Sequence, residues 1–491
     1  MQPNYSDRTC YLIESAIDAS AAASIVEAAE RAGFRSSARD YPPSYRDNSR
    51  LVHDDATLAQ AIFDRLGDRL PGELVDRHGD VWELQGLNDR FRLCRYENGQ
   101  SFRIHRDGAH APSAAVRSHL TLQIYLDEDF DGGRTRFFSG RSGKQIGAFT
   151  PRTGRAIVFD HQLWHDGEPV VRGVKHVLRA DVMYRRRTKK DVRAEPNVLV
   201  AHGGYVFALE VLADGSLVSA SRDRTVRRFI ERGGEWIATH VDRSHDASIH
   251  TLVEAKPNVV WSGSRDRTIR ALDLSPGCPR TGSSSVVAAL GGAVLSLAKI
   301  NGTLIAAGCS DASVYLLDVD ARRHLRVAGH QGWVWSVVGL RCEKAELDLV
   351  ASGSEDGTIR VIRTDGTFVA SASPKRGPVH ALLASADGRL LAGFADGHVV
   401  TYELDRHRGV LVAIDVIQAS RGEIYALALK DGLLAVGGED EQARVLRTGG
   451  GGGGAHFAHD DFVRSVKWLP DGRLVTASYD GAIRFFEPDP T

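Results

Sequence analysis

Cysteine is scarce in this chain: Cys10, Cys94, Cys278, Cys309 and Cys342 are five among 491 residues, widely spaced and with no C-x-x-C pair. An odd, scattered set excludes a disulfide framework and a cysteine-held zinc site, and leaves reduced core thiols. No apolar run reaches the ~18 residues a membrane span requires. The first residues, Met1-Gln-Pro-Asn-Tyr-Ser-Asp-Arg8, lack the basic and apolar regions of a secretory signal. The expectation is a soluble, cytoplasmic protein with no membrane partner. Charge of one sign is lacking too, since 62 Lys and Arg face 63 Asp and Glu. A net charge of -1 removes any whole-chain electrostatic case for nucleic acid. Lysine is rare, 10 against 52 arginines, which reads as base composition rather than function.

Glycine is present in excess and unevenly: 15 lie in residues 1–199 and 35 in residues 200–491. The glycine-rich half is periodic. Segments such as SASRDRTVR from Ser219, SGSRDRTIR from Ser262, SGSEDGTIR from Ser352 and TASYDGAIR from Thr476 repeat one pattern around Asp223, Asp266, Asp311, Asp356, Asp396, Asp440 and Asp480. The aspartates stand 40 to 45 residues apart, the spacing of a four-stranded blade. Alternating strands such as Val334-Trp-Ser-Val-Val338, with Asp-Gly turns between them, carry the hairpin signature. These repeats resemble the WD40 β-propeller family over residues 197–491, and the resemblance implies seven blades. A Gly-His pair stands intact only at Gly329-His330, and no repeat ends in Trp-Asp, so some blades are expected to lack the family's internal His–Asp network. Asn197-Val-Leu-Val-Ala201 is expected to supply the outer strand of the last blade and close the ring. Residues 188–196, after the basic run Arg185–Lys190, read as a solvated linker. Gly449–Gly454 reads as a flexible loop. A propeller of this kind implies a docking platform for a protein or peptide.

The first half begins with two helical stretches, one from Ser20 behind an Asp18 cap and one from Ala56 behind Asp55, so residues 1–90 read as its helical part. From residue 91 to 187 the pattern changes to short strands: Arg92–Tyr96, Phe102–His105, Leu120–Leu126, Arg155–Phe159 and His176–Tyr184. Helices followed by many strands suggest an α+β domain with a sheet sandwich or barrel core.

His105-Arg-Asp107 is the informative constellation there. Residues two apart on a strand share a face, so an imidazole and a carboxylate address one point inside the sheets. His165, in Leu163-Trp-His-Asp-Gly-Glu, supplies a third ligand after the next strand but one. Two histidines and one carboxylate on one face of a metal leave positions open for a bidentate ligand and O₂. The wider context is Tyr96-Glu-Asn-Gly-Gln-Ser-Phe-Arg-Ile-His105, Gly132-Gly-Arg-Thr135-Arg-Phe137, Pro151-Arg-Thr-Gly154 and Gly173-Val-Lys175. Together with the triad these resemble the prolyl-4-hydroxylase-type 2-oxoglutarate/Fe(II) dioxygenases, over roughly residues 90–185. The resemblance implies a double-stranded β-helix, or jelly-roll, domain over residues 1–187, with Fe(II) held by His105, Asp107 and His165. It further implies that Lys175 pairs with the far carboxylate of 2-oxoglutarate, with Tyr96 and Thr135 as hydrogen-bond partners. A dicarboxylate that loses its hydration needs such a buried cation, and Arg179, four residues on along the same strand, is the alternative anchor.

The chemistry so implied consumes O₂ and 2-oxoglutarate, releases succinate and CO₂, and hydroxylates an unactivated C–H bond, with ascorbate as reductant. The carboxylate of Asp107 argues for hydroxylation over halogenation, which needs that position vacated. Gln162 in His161-Gln-Leu-Trp-His165 stands where a zinc protease needs a glutamate, so that pair is set aside. Trp164 reads as packing at the mouth of the site. Three readings stand. In the first the propeller recruits a protein or peptide substrate, prolyl residues included; in the second the substrate is a small molecule; in the third the chain is a non-enzymatic scaffold with a decayed oxygenase domain.

Overall fold

A computed structural model describes residues 8–487, apart from 40, 43–44, 77–78, 114, 142, 188–196, 276–283, 321–322, 343–346 and 449–450. The chain forms two compact units, Met1–Arg193 and Ala194–Thr491. The expected linker, 188–196, lies outside the described residues.

In the first unit the Asp18 carboxylate accepts from the Ala21 amide and starts helix α1, Ala19–Ala32, which stops at Gly33 with φ +85°. Asp55 does the same for Leu58 at the start of α2, Ala56–Leu66. Both helices press small and aliphatic residues, among them Ala22, Ala29, Ile62 and Leu66, onto one face of a nine-stranded sheet. Its path runs Cys10–Ile13, Ala156–Asp160, Val116–Tyr125, Lys175–Arg186, Arg90–Tyr96, Ser49–Asp54, Arg35–Ser36, with Val81–Leu87 and Glu73–Val75 branching from Lys175–Arg186. Residues 1–90 are therefore not simply a helical part: Cys10–Ile13, Ser49–Asp54 and Val81–Leu87 extend the main sheet. Their side chains alternate weakly between apolar and polar, and only pairing with long neighbours makes them strands.

A second sheet, Gln145–Phe149, Thr135–Phe138, Trp164–Gly167, Phe102–His105, is entirely antiparallel. One apolar cluster joins the two sheets, with Cys94, Tyr125 and Val177 from the first and Phe102, Phe137 and Phe149 from the second. Strand alternation sorts the residues of Lys175–Arg186. Leu178, Ala180 and Val182 join the helix-side core, while Lys175, Val177 and Arg179 line a cavity between the sheets.

The second unit consists of five four-stranded antiparallel sheets and one of eight strands, among the described residues. The eight-stranded sheet is two four-stranded meanders linked by a single parallel pair, Ser371 with Val410. The first strands of successive meanders lie side by side, from Val206–Val211 round to Val463–Trp468, which returns to Val206–Val211. In four of these strands a hydroxyl at the third position bonds the backbone of the neighbouring one. Leu297 N donates to Thr251 (2.9 Å), Val337 N to Ser296 (3.0 Å), Leu382 N to Ser336 (3.0 Å) and Leu209 N to Ser465 (3.2 Å). Val198–Val200 pairs antiparallel with Ala482–Phe486, as the sequence suggests.

The repeated aspartates tighten turns: Asp223, Asp266 and Asp356 accept from the amides of Thr225, Thr268 and Thr358. Each also faces a buried histidine, His202, His245 and His330. Where the histidine is missing, other groups serve. Tyr315 donates its hydroxyl to Asp311 at 2.7 Å, and Arg376 and Arg444 pair with Asp396 and Asp440. The glycine run corrects one expectation, because Gly451–Ala458 is a strand paired with Gln442–Arg447. Its first two glycines, 449–450, lie outside the described residues.

Candidate metal centre and its cavity

The antiparallel register sets His105 on the Phe102–His105 strand directly opposite His165 on Trp164–Gly167. Asp107 follows just beyond the first strand, where its amide donates to the carbonyl of His161 (3.0 Å). The ligand atoms of His105, Asp107 and His165 lie within 4.8 Å of one another, and all three residues are buried. His105 Nδ1 donates to the Arg103 carbonyl (2.8 Å) and His165 Nδ1 to that of Leu163 (2.9 Å). Both rings are thus fixed with Nε2 unprotonated and turned to the centre.

Among the described residues His105 Nε2 is buried with no hydrogen-bond partner, an orphan that a metal would satisfy. Burial pushes both imidazoles below their ordinary range, His165 to about 3 with His105 adding to the shift, so both stay neutral as ligands. Burial opposes the Asp107 charge, yet the Arg179 guanidinium outweighs it and holds the carboxyl well below its usual range.

Asp107 is oriented by a relay. The Ser118 hydroxyl donates to His161 Nε2 (2.8 Å), His161 Nδ1 donates to Thr121 Oγ1 (3.0 Å), and Thr121 donates to Asp107 Oδ2 (2.7 Å). Arg179 reaches the same oxygen at 2.5 Å. With Oδ2 so occupied, Oδ1, 3.5 Å from His105 Nε2, is the oxygen available to a cation. The donor set of two neutral imidazoles and one carboxylate suits non-haem Fe(II).

Beside this centre lies a cavity lined by Lys175, Tyr96, Thr135 and Arg179 together with His105 and His165. Lys175 is 3% exposed. Its ammonium donates to the Gly133 carbonyl (2.5 Å) and lies 5.2 Å from the Tyr96 ring centre. Burial pulls it down to about 8. Thr135 Oγ1 accepts from Gln123 (2.8 Å) and from the Tyr125 hydroxyl (2.7 Å). Its own proton is therefore left to donate into the cavity.

The structure thus gathers every residue singled out in the sequence for this site, and adds Thr121, His161, Gln123, Tyr125 and Arg46. For three of these a signal existed: Thr121, Gln123 and Tyr125 alternate with Leu120, Leu122 and Ile124 on one strand, a polar face where a core face was the simpler expectation. Trp164 is half-buried, with Arg106 stacked over its ring at 5.0 Å.

Residues 91–180 match the family model described as the 2OG-Fe(II) oxygenase superfamily. Residues 195–229, 322–363 and 454–487 match that of the WD domain, G-beta repeat. Protein tipD of Dictyostelium discoideum is 28% identical over 216 residues, which cover 41% of this chain and 33% of that protein. The alignment thus spans about a third of the relative's length. The crystal structure of the WD40 β-propeller domain of Doa1 superposes with a TM-score of 0.52 at 19% identity, over 60% of this chain and 97% of that one, a likeness of fold alone.

Proposed function

We propose that this chain, which carries a 2OG-Fe(II) oxygenase superfamily domain followed by a WD40 propeller, is a 2-oxoglutarate- and Fe(II)-dependent dioxygenase that hydroxylates an unactivated C–H bond. The observation that carries this reading is the buried His105–Asp107–His165 group, with the partnerless Nε2 of His105, beside a cavity that holds the Lys175 ammonium. The two facing sheets are read as a jelly-roll. The meanders that follow one another in a cycle are read as seven blades.

His105, Asp107 and His165 would hold Fe(II), which when bound supplies O₂ activation with 2-oxoglutarate as co-substrate and ascorbate keeping the metal reduced. The protein's own part is positional. Thr121 and Arg179 fix one Asp107 oxygen so that the other faces the metal. Lys175, Tyr96 and Thr135 bind the far carboxylate of the dicarboxylate, and Phe137, Phe159 and Phe102 pack round the imidazoles and exclude water. The propeller recruits the protein or peptide to be hydroxylated, prolyl residues included, and the buried cysteines Cys10, Cys94 and Cys309, which form no disulfide among the described residues, suit a reducing cytoplasm.

The test is succinate formation from 2-oxoglutarate by the full chain with Fe(II) and ascorbate, compared with His105→Ala. Turnover confined to the wild type supports the reading, and equal background in both overturns it. A +16 mass shift on a protein retained by the chain would identify the substrate.

A further inference from the structure

The cavity holds more positive charge than this reading uses. Arg46 also lines it and is 4% exposed. The residue reaches the site because its backbone bridges to Phe102, alongside the strand that ends at His105. Its guanidinium lies 4.3 Å from the centre of the Phe102 ring, which itself stacks on His105 at 3.6 Å. Nε donates to Asn48 Oδ1 (2.6 Å) and Nη2 to Cys94 Sγ (3.0 Å), and the Tyr96 phenol is a further neighbour. None of these partners is a carboxylate. Arg92 and Arg179, largely buried in the same sheet, each have one, Asp181 at 3.0 Å and Asp107 at 2.5 Å. Among the described residues, Arg46 and Lys175 are the cations of this cavity with no acidic partner at ion-pair distance. A buried charge is retained at a cost unless something pairs with it, and one carboxylate at Lys175 leaves the guanidinium unanswered. A planar fork of donors suits a two-oxygen acceptor.

We propose that Arg46 is a second anion-binding point of this cavity, separate from Lys175, which takes a carboxylate or phosphate group of a bound ligand. Two sources carry that chemistry: the 2-oxoglutarate carboxylate, gripped from two sides, or an acidic group on the molecule to be oxidised, which would then be an anion. The proposal rests on the oxygenase reading only in naming 2-oxoglutarate.

Calorimetric titration of the full chain loaded with Mn(II) separates these. In one arm 2-oxoglutarate is added to wild type, Lys175→Met, Arg46→Gln and Arg46→Lys; in the other, inorganic phosphate is added to wild type, Arg46→Gln and Arg46→Lys in the presence of excess 2-oxoglutarate. Arg46→Gln is expected to weaken at least one ligand about tenfold or more, with Arg46→Lys in between. Loss in the first arm assigns the anion to the co-substrate, and loss in the second alone assigns it to the substrate. Unchanged affinities in both arms overturn the proposal, as does an Arg46→Lys protein indistinguishable from wild type should Arg46→Gln fail to fold. A wild type that binds phosphate through Arg46 but no 2-oxoglutarate would sink the oxygenase reading and leave this one standing.

Discussion

At the scale of single residues, the site combines two neutral imidazoles and an ionised carboxylate with a cation kept charged against its surroundings. Lys175 has its pKa lowered from 10.5 to about 8. Its unfolded form holds the proton more tightly, so the buried ammonium costs stability below about pH 8, and the cost fades as pH rises toward 10.5. Lys175→Met is therefore expected to stabilise the first unit by up to about 3 kcal/mol at neutral pH, read by urea denaturation, while abolishing 2-oxoglutarate binding. In the wild type that binding should weaken about tenfold per pH unit above pH 8, read by titration. Thr121→Val removes one donor from Asp107 and is expected to cost about tenfold or more in Mn(II) affinity. The cluster itself was legible, since His105, Asp107 and His165 stand out in type and spacing, and the structure brings them together. Arg46 and His161 were not, because their roles arise only when segments 59 and 40 residues away fold against His105 and Thr121.

Single elements show where pattern suffices and where context overrules it. Both caps were readable, as aspartates ahead of apolar periodicity, and Asp55→Ala should cost about 1 kcal/mol by leaving the Leu58 amide without its acceptor. The glycine run that becomes the Gly451–Ala458 strand was not, because glycine has little strand preference of its own and only pairing with Gln442–Arg447 extends it. Helix α1 is tied to the sheet by His176, whose ring bonds Asp127 at 2.5 Å and Glu30 of the helix at 2.9 Å. Burial opposes its charge, but the bonds to Asp127 and Glu30 prevail and raise its pKa. The stabilisation is full below the ordinary histidine value and is lost as pH rises through the raised one. The difference in urea midpoint between pH 6 and pH 8.5 should accordingly shrink in His176→Asn.

Across the whole molecule, the repeat spacing revealed the second unit, but not what replaces its missing histidines. Gly291 leaves the room: a Cβ there would lie 2.8 Å from the Tyr315 hydroxyl and 2.6 Å from Asp311. Nor could spacing show the hydroxyls that stitch neighbouring first strands. Ser465→Ala strips the Leu209 amide of its acceptor and should cost about 1–2 kcal/mol in the thermal unfolding of the second unit. The pairing of Val198–Val200 with Ala482–Phe486 joins segments roughly 280 residues apart in sequence, a contact whose loop-closure entropy falls due late in folding. During synthesis, every sheet between them can form as it leaves the ribosome, yet the nascent unit keeps an unpaired edge at each end until its final described strand is made. That interval, rather than the finished ring, is when this unit is most exposed to mispairing with its neighbours.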